Sequence, residues 1–80
     1  MTAPDWFPRE IIAPANEGER DAVRVAQRAL RLTETGEMDA LTRVALRGIQ
    51  RLHHLPITGD LDLKTAVVID AMRPWGVEDE

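Results

Sequence analysis

The chain has 80 residues, no cysteine and a formal net charge of −4. That length allows one domain with a small core, and the lack of cysteine excludes a disulfide framework and a thiolate metal site. The acidic balance argues against bulk attraction to nucleic acid, and no apolar run reaches the roughly 18 residues of a membrane span.

Residues 1–17 read as an extended, proline-rich N-terminal arm. Pro4, Pro8 and Pro14 recur too closely for a regular helix. Between them stand Trp6, Phe7, Ile11 and Ile12, four large apolar side chains that suit an arm docked on its own domain or on a partner. The opening Met1-Thr2-Ala3-Pro4-Asp5 lacks the basic start and apolar segment of a signal peptide. The expected location is therefore the cytoplasm at synthesis, with a virion-associated form or cell-wall contact only where another assembly carries the chain there.

Residues 18–74 read as a helical domain. A first helix is expected from Gly18–Glu19 to about Arg31, with Ala22, Val25, Ala26, Ala29 and Leu30 at helical spacing. Glu17, Glu19 and Asp21 lie at its start, where the helix dipole favours negative charge. A second helix is expected from about Ala40 to His53, capped by Asp39, with Leu41, Val44, Ala45, Gly48, Ile49 and Leu52 as its apolar face. Pro56 prevents its extension. A third is expected from about Leu63 to Arg73, capped by Asp62 and ended by Pro74. It is apolar nearly all the way round, more than the third of a circumference that an amphipathic helix needs. Either the arm covers the excess or a protein interface does. Residues 75–80 form an acidic tail containing Trp75.

The strongest feature is internal repetition. Leu32-Thr33-Glu34-Thr35-Gly36-Glu37-Met38-Asp39 reappears as Leu55-Pro56-Ile57-Thr58-Gly59-Asp60-Leu61-Asp62, an offset of 23 residues. The same offset relates Gln27 to Gln50, Thr42 to Thr65, and Arg20, Arg24 and Arg28 to Arg43, Arg47 and Arg51. Such a period indicates a duplicated supersecondary unit. Each copy reads as helix, leucine anchor, Thr-Gly turn, apolar staple, aspartate cap and next helix. Gly36 and Gly59 suit a turn with positive φ. Met38 and Leu61 can staple the following first turn, and the hydroxyls of Thr42 and Thr65 can return a bond to the cap's own amide. Two overlapping 23-residue helix-turn-helix units sharing the middle helix predict an all-α, compact three-helix bundle.

Gln27, Leu32, Thr35, Gly36, Asp39, Thr42, Ala45, Leu46, Gln50, Leu55, Thr58, Gly59, Asp62 and Thr65 together resemble the peptidoglycan-binding domain family, over roughly residues 21–72. The resemblance implies a three-helix fold and a non-enzymatic module that binds bacterial cell-wall glycan. The chain departs from the family pattern at Ile49, commonly aromatic there, at Ala66, commonly tryptophan, and at His54, commonly glycine. Trp6, Phe7 or Trp75 are candidates to refill the space that Ala66 leaves.

No catalytic constellation, metal-ligand set or cofactor motif stands out. His53 and His54 are adjacent, point to different faces and suit a helix C-terminus. The arginine rows Arg20/Arg24/Arg28 and Arg43/Arg47/Arg51 each line one helix face. Each is either a solvated face or a cationic strip for an acidic partner. If glycan binds, the candidate contacts are Thr35, Gly36, Gln50, Arg51, His54, Thr58 and Gly59, close together in the repeat. The candidate partner contacts are Trp6, Phe7, Ile11, Ile12 and Trp75. The alternative function is a structural or adaptor protein, such as a minor phage capsid or tail component, using the same fold for protein contacts. The expected partners are thus peptidoglycan or a larger protein assembly such as a virion shell or tail, with no membrane.

Overall fold

A computed structural model describes residues 2–72 and shows three helices: α1 (Glu17–Ala29), α2 (Ala40–Leu52) and α3 (Leu63–Ala71), with no strand among the described residues. Arg73, Pro74 and the 75–80 tail with Trp75 lie outside the described residues. Asp39 and Asp62 cap α2 and α3, accepting from the amides of Thr42 (2.9 Å) and Thr65 (2.8 Å). The cap of α1 is Asn16, which accepts from the Glu19 amide at 2.9 Å, while Glu19 accepts in return from the Ala15 amide at 2.8 Å. These two bonds move the helix start to Glu17, slightly before the expected Gly18–Glu19. The Asn-x-x-Glu spacing is that of a capping box and was available in the sequence, although Glu19 reaches the amide one residue before the cap rather than the cap's own.

The ends of α1 and α2 are built alike. Arg31 donates to the Arg28 carbonyl and Leu32 to the Gln27 carbonyl, at 3.1 and 2.8 Å. His54 donates to the Arg51 carbonyl and Leu55 to the Gln50 carbonyl, at 3.2 and 2.8 Å. These paired bonds satisfy the last helical carbonyls by turning the chain through a left-handed residue. That residue is Arg31 (φ 63°) in one place and His54 (φ 59°) in the other, where glycine would be unstrained.

Each helix buries a stripe at i, i+4 and i+8. In α1 the stripe is Glu19, Val23 and Gln27; in α2 it is Thr42, Leu46 and Gln50; in α3 Thr65 and Ile69 begin it. This corrects the expected face of α2. Leu41, Val44 and Leu52 are exposed, Gly48 faces open space, and Ala45 and Ile49 are only half-buried. The periodicity of apolar residues located the wrong stripe because the inward stripe of α2 carries two polar side chains with structural work.

The arm packs on its own chain. Phe7 and Ile11 belong to the core, with Val23, Leu46, Leu61, Ala66 and Ile69. Ile11 and Leu61 exchange two backbone hydrogen bonds, at 2.9 and 3.1 Å, as an isolated antiparallel bridge. Trp6 packs edge-on against Phe7 (centroids 6.2 Å apart) and donates its indole N–H to Asp70 on α3 at 3.0 Å. Of the two covers considered for α3, the arm is one that is present. With Ala66 fully buried, the space its small side chain leaves is closed within a core that Phe7 and Ile11 complete.

Candidate functional site: the two Thr-Gly corners

The corners after α1 and α2 are held by buried glutamines. Gln27 lies at the inner end of α1, with no exposed surface. Its carbonyl accepts from the Gly36 amide at 2.9 Å. Its Nε2 faces three oxygens: Thr35 Oγ1 (3.0 Å), the Glu37 carbonyl (3.0 Å) and Thr42 Oγ1 (2.9 Å). Gln50 repeats the pattern on the second corner. Its carbonyl accepts from the amides of Thr58 and Gly59, both at 2.9 Å. Its Nε2 faces Thr58 Oγ1 (3.2 Å), the Asp60 carbonyl (3.0 Å) and Thr65 Oγ1 (3.0 Å). An amide has two hydrogens, so each Nε2 shares them among three acceptors. One side chain thus ties a helix end, a turn and the first turn of the next helix.

Thr42 and Thr65 do not return a bond to the cap's amide as the sequence suggested. Thr42 Oγ1 donates to the Asp39 carboxylate at 2.7 Å and accepts from Gln27; Thr65 Oγ1 accepts from Gln50. A threonine hydroxyl is too short for the reach that glutamate makes in a capping box, and the glutamine amide stands nearer. The Thr42 hydroxyl, and then the Thr42 amide, hold the Asp39 carboxyl below the usual carboxylate range.

Gly36 and Gly59 have φ of 77° and 78°. A Cβ at either would also press on an arginine laid across the turn: one at Gly36 would lie 3.1 Å from Arg24 Nε, and one at Gly59 3.1 Å from Arg47 Nε. The arginine end can move aside, so the positive φ is what requires glycine.

The arginine rows separate into paired and unpaired members. Arg20 meets Glu37 (3.5 Å), Arg28 meets Glu34 (3.0 Å) and Arg24 meets Glu17 (2.9 Å) and Asp21. Arg43 meets Asp60 (2.9 Å) and donates to the Ile12 carbonyl of the arm. Arg47 and Arg51, and Arg31 outside the rows, make no ion pair among the described residues.

An open cleft of about 440 Å³ lies beside the first corner, lined by Arg31, Leu32, Thr33, Thr35, Asp39, Leu41 and Thr42. A second, of about 530 Å³, lies at the corresponding place on the second corner, lined by Pro56, Asp62, Leu63 and Lys64, with Glu10 of the arm forming one wall.

Of the seven candidate glycan contacts, Thr35, Arg51, His54 and Thr58 are exposed, whereas Gly36, Gly59 and Gln50 are buried. Gln50 is engaged inside the corner at both its amide atoms, so it supports the site without facing a ligand. Of the candidate partner contacts, Phe7 and Ile11 lie in this chain's own core, Trp6 is half-buried and Ile12 is exposed. Arg31 and Leu41 were not among the candidates. The 23-residue match of Arg31 to His54 was available in the sequence, but nothing local indicated that Leu41 faces a cleft. Among the described residues no group of three or more His, Asp or Glu is placed to hold a metal ion, and no helix is long and apolar enough to cross a membrane.

Compared with models of known protein families, with curated proteins and with solved structures, the chain matches none.

Proposed function

We propose that the chain is a non-catalytic module that binds bacterial cell-wall glycan, built from two overlapping copies of one helix-corner-helix unit and closed by its proline-rich arm. The matching bonds of Gln27 and Gln50, and the matching φ values of Gly36 and Gly59, support the duplicated unit and the resemblance to the peptidoglycan-binding domain family.

The observation that carries the ligand class is the cleft at the first corner. The exposed Thr33 and Thr35 hydroxyls and the Asp39 carboxylate suit sugar hydroxyls. Leu41 offers an apolar surface to a sugar ring. Arg31 presents a planar, unpaired guanidinium, suited to the carboxylates that cell-wall glycan carries on its peptide stems. The first cleft sets Arg31 beside one carboxylate, Asp39, whereas the second sets Lys64 beside two, Glu10 and Asp62, so the first corner is the better site for an acidic ligand.

Low-salt co-sedimentation with insoluble peptidoglycan tests this. The chain is expected in the pellet, and Arg31→Gly should lower the bound fraction severalfold while the fold is retained. Wild-type protein that stays in the supernatant overturns the glycan reading.

A second reading is a structural or adaptor role, as in a minor virion component. The exposed apolar face of α2 favours it.

A further inference from the structure

We infer that the exposed face of α2 docks an amphipathic helix of another protein, one with an apolar stripe bordered along one edge by acidic residues. The inference deepens the adaptor reading; of the stripe residues only Leu41 also lines the proposed glycan cleft.

Leu41 is 73% exposed, Val44 60% and Leu52 70%. With about 3.6 residues per turn, these three and Gly48 fall on one side of α2, opposite the buried Thr42, Leu46 and Gln50. Scattered apolar residues on a surface need no explanation, but a row of them on one face from the first turn of a helix to its last, interrupted only at Gly48, does.

Gly48 adds an independent reason. It sits mid-helix, where glycine is a poor helix former, and nothing lies within 4 Å of the position its Cβ would take. Nothing within this chain therefore requires a glycine there. A partner helix crossing at Gly48 would use the missing side chain, because it lets two helix backbones approach closely.

Charge decides the partner's chemistry. Arg47 and Arg51 follow the stripe along one edge, one turn apart; Arg47 lies across the Gly59 turn but stays exposed, and neither makes an ion pair among the described residues. The 13 residues of α2 include three arginines and no acid. Two α2 helices packed antiparallel would set arginine edge against arginine edge, which disfavours a second copy of the chain. The patch is also short, one face of a 13-residue helix, whereas a stable protein interface buries roughly 800 Å² per partner. One helix laid across it matches that size. Glutamates spaced one turn apart on that helix match Arg47 and Arg51.

The test uses the full chain, isotope-labelled for amide NMR, and two synthetic helical peptides of about four turns. Both carry a leucine stripe; one has glutamates along its edge, the other lysines at the same positions. The glutamate peptide should saturate, move the amides of α2, and bind at least about tenfold more tightly than the lysine peptide. Gly48→Gln should weaken binding by a similar factor at an unchanged or higher melting temperature, which separates a docking role from a folding role. Arg47→Glu with Arg51→Glu should reverse the preference. Saturation of α2 by both peptides alike overturns the acidic chemistry and leaves the adaptor reading standing. Unmoved α2 amides with either peptide, or full binding by Gly48→Gln, overturn the docking face itself, and the adaptor reading loses its support.

Discussion

Gln50 Nε2, at the end of α2, lies 3.0 Å from Thr65 Oγ1 in the first turn of α3, and both side chains are fully buried. The bond crosses a corner whose backbone amides at Thr58 and Gly59 depend on the same side chain. Gln50→Leu keeps approximate volume and removes the amide from all of its polar partners. Leaving several buried groups unpaired should cost roughly 3 kcal/mol, lowering the melting temperature by more than about 10 °C. A calorimetric scan reads this directly; a change under about 1 kcal/mol would mean that water replaces the amide.

Two pairs of left-handed residues give predictions of opposite sign. Arg31→Gly and His54→Gly remove a positive-φ strain, and each should stabilise by about 0.5–1 kcal/mol after the extra freedom of glycine in the unfolded chain is deducted. Gly36→Ala and Gly59→Ala introduce the same strain and should each destabilise by about 1 kcal/mol or more. Urea unfolding of the four variants checks the signs. Combined with sedimentation, Arg31→Gly also separates function from stability, since it should fold better and bind wall glycan less.

Removing the arm should unfold the domain. Ile11→Ala empties a fully buried site and breaks no backbone bond to Leu61, so about 3 kcal/mol is expected from lost burial and cavity. Deleting residues 2–12 exposes the core side of Leu61, Ala66 and Ile69, and a truncated chain should melt without a cooperative transition. Circular dichroism decides this: a sharp transition near the full-length midpoint would show that the three helices stand alone.

Acid should weaken the fold through two carboxylates. The Ala15 amide foremost, and then the Arg9 guanidinium, outweigh burial and hold the Glu19 carboxyl below its usual range; the Thr42 hydroxyl and amide do the same for Asp39. Carboxylates depressed in the folded state bind fewer protons than in the unfolded chain, where they titrate near about 4. Their stabilisation is therefore complete above about pH 5 and is lost as pH falls through the folded values. Melting temperatures from about pH 7 down to about pH 3 should be level and then fall. Glu19→Gln keeps an acceptor for Ala15 and should make the acid limb shallower; an unchanged limb assigns the loss to other groups.

The local devices of this protein were legible in its sequence. Asp39 and Asp62 cap their helices, Gly36 and Gly59 turn with positive φ, and the number and order of helices follow from proline, cap and spacing signals, because each is set by bonds within a few residues. Asn16 was legible too, in its spacing to Glu19. What only the tertiary structure decided depends on contacts between distant segments. Whether the arm turns inward rests on Ile11 meeting Leu61 and Trp6 meeting Asp70. Which face of α2 is buried rests on Gln50 and Thr42 being wanted at the corners, so that polar residues go inside and Leu41, Val44 and Leu52 remain in solvent. Apolar periodicity assumes that hydrophobic burial alone orients a helix. Here a fully bonded amide network outweighs it, because an unpaired buried amide costs more than an exposed leucine.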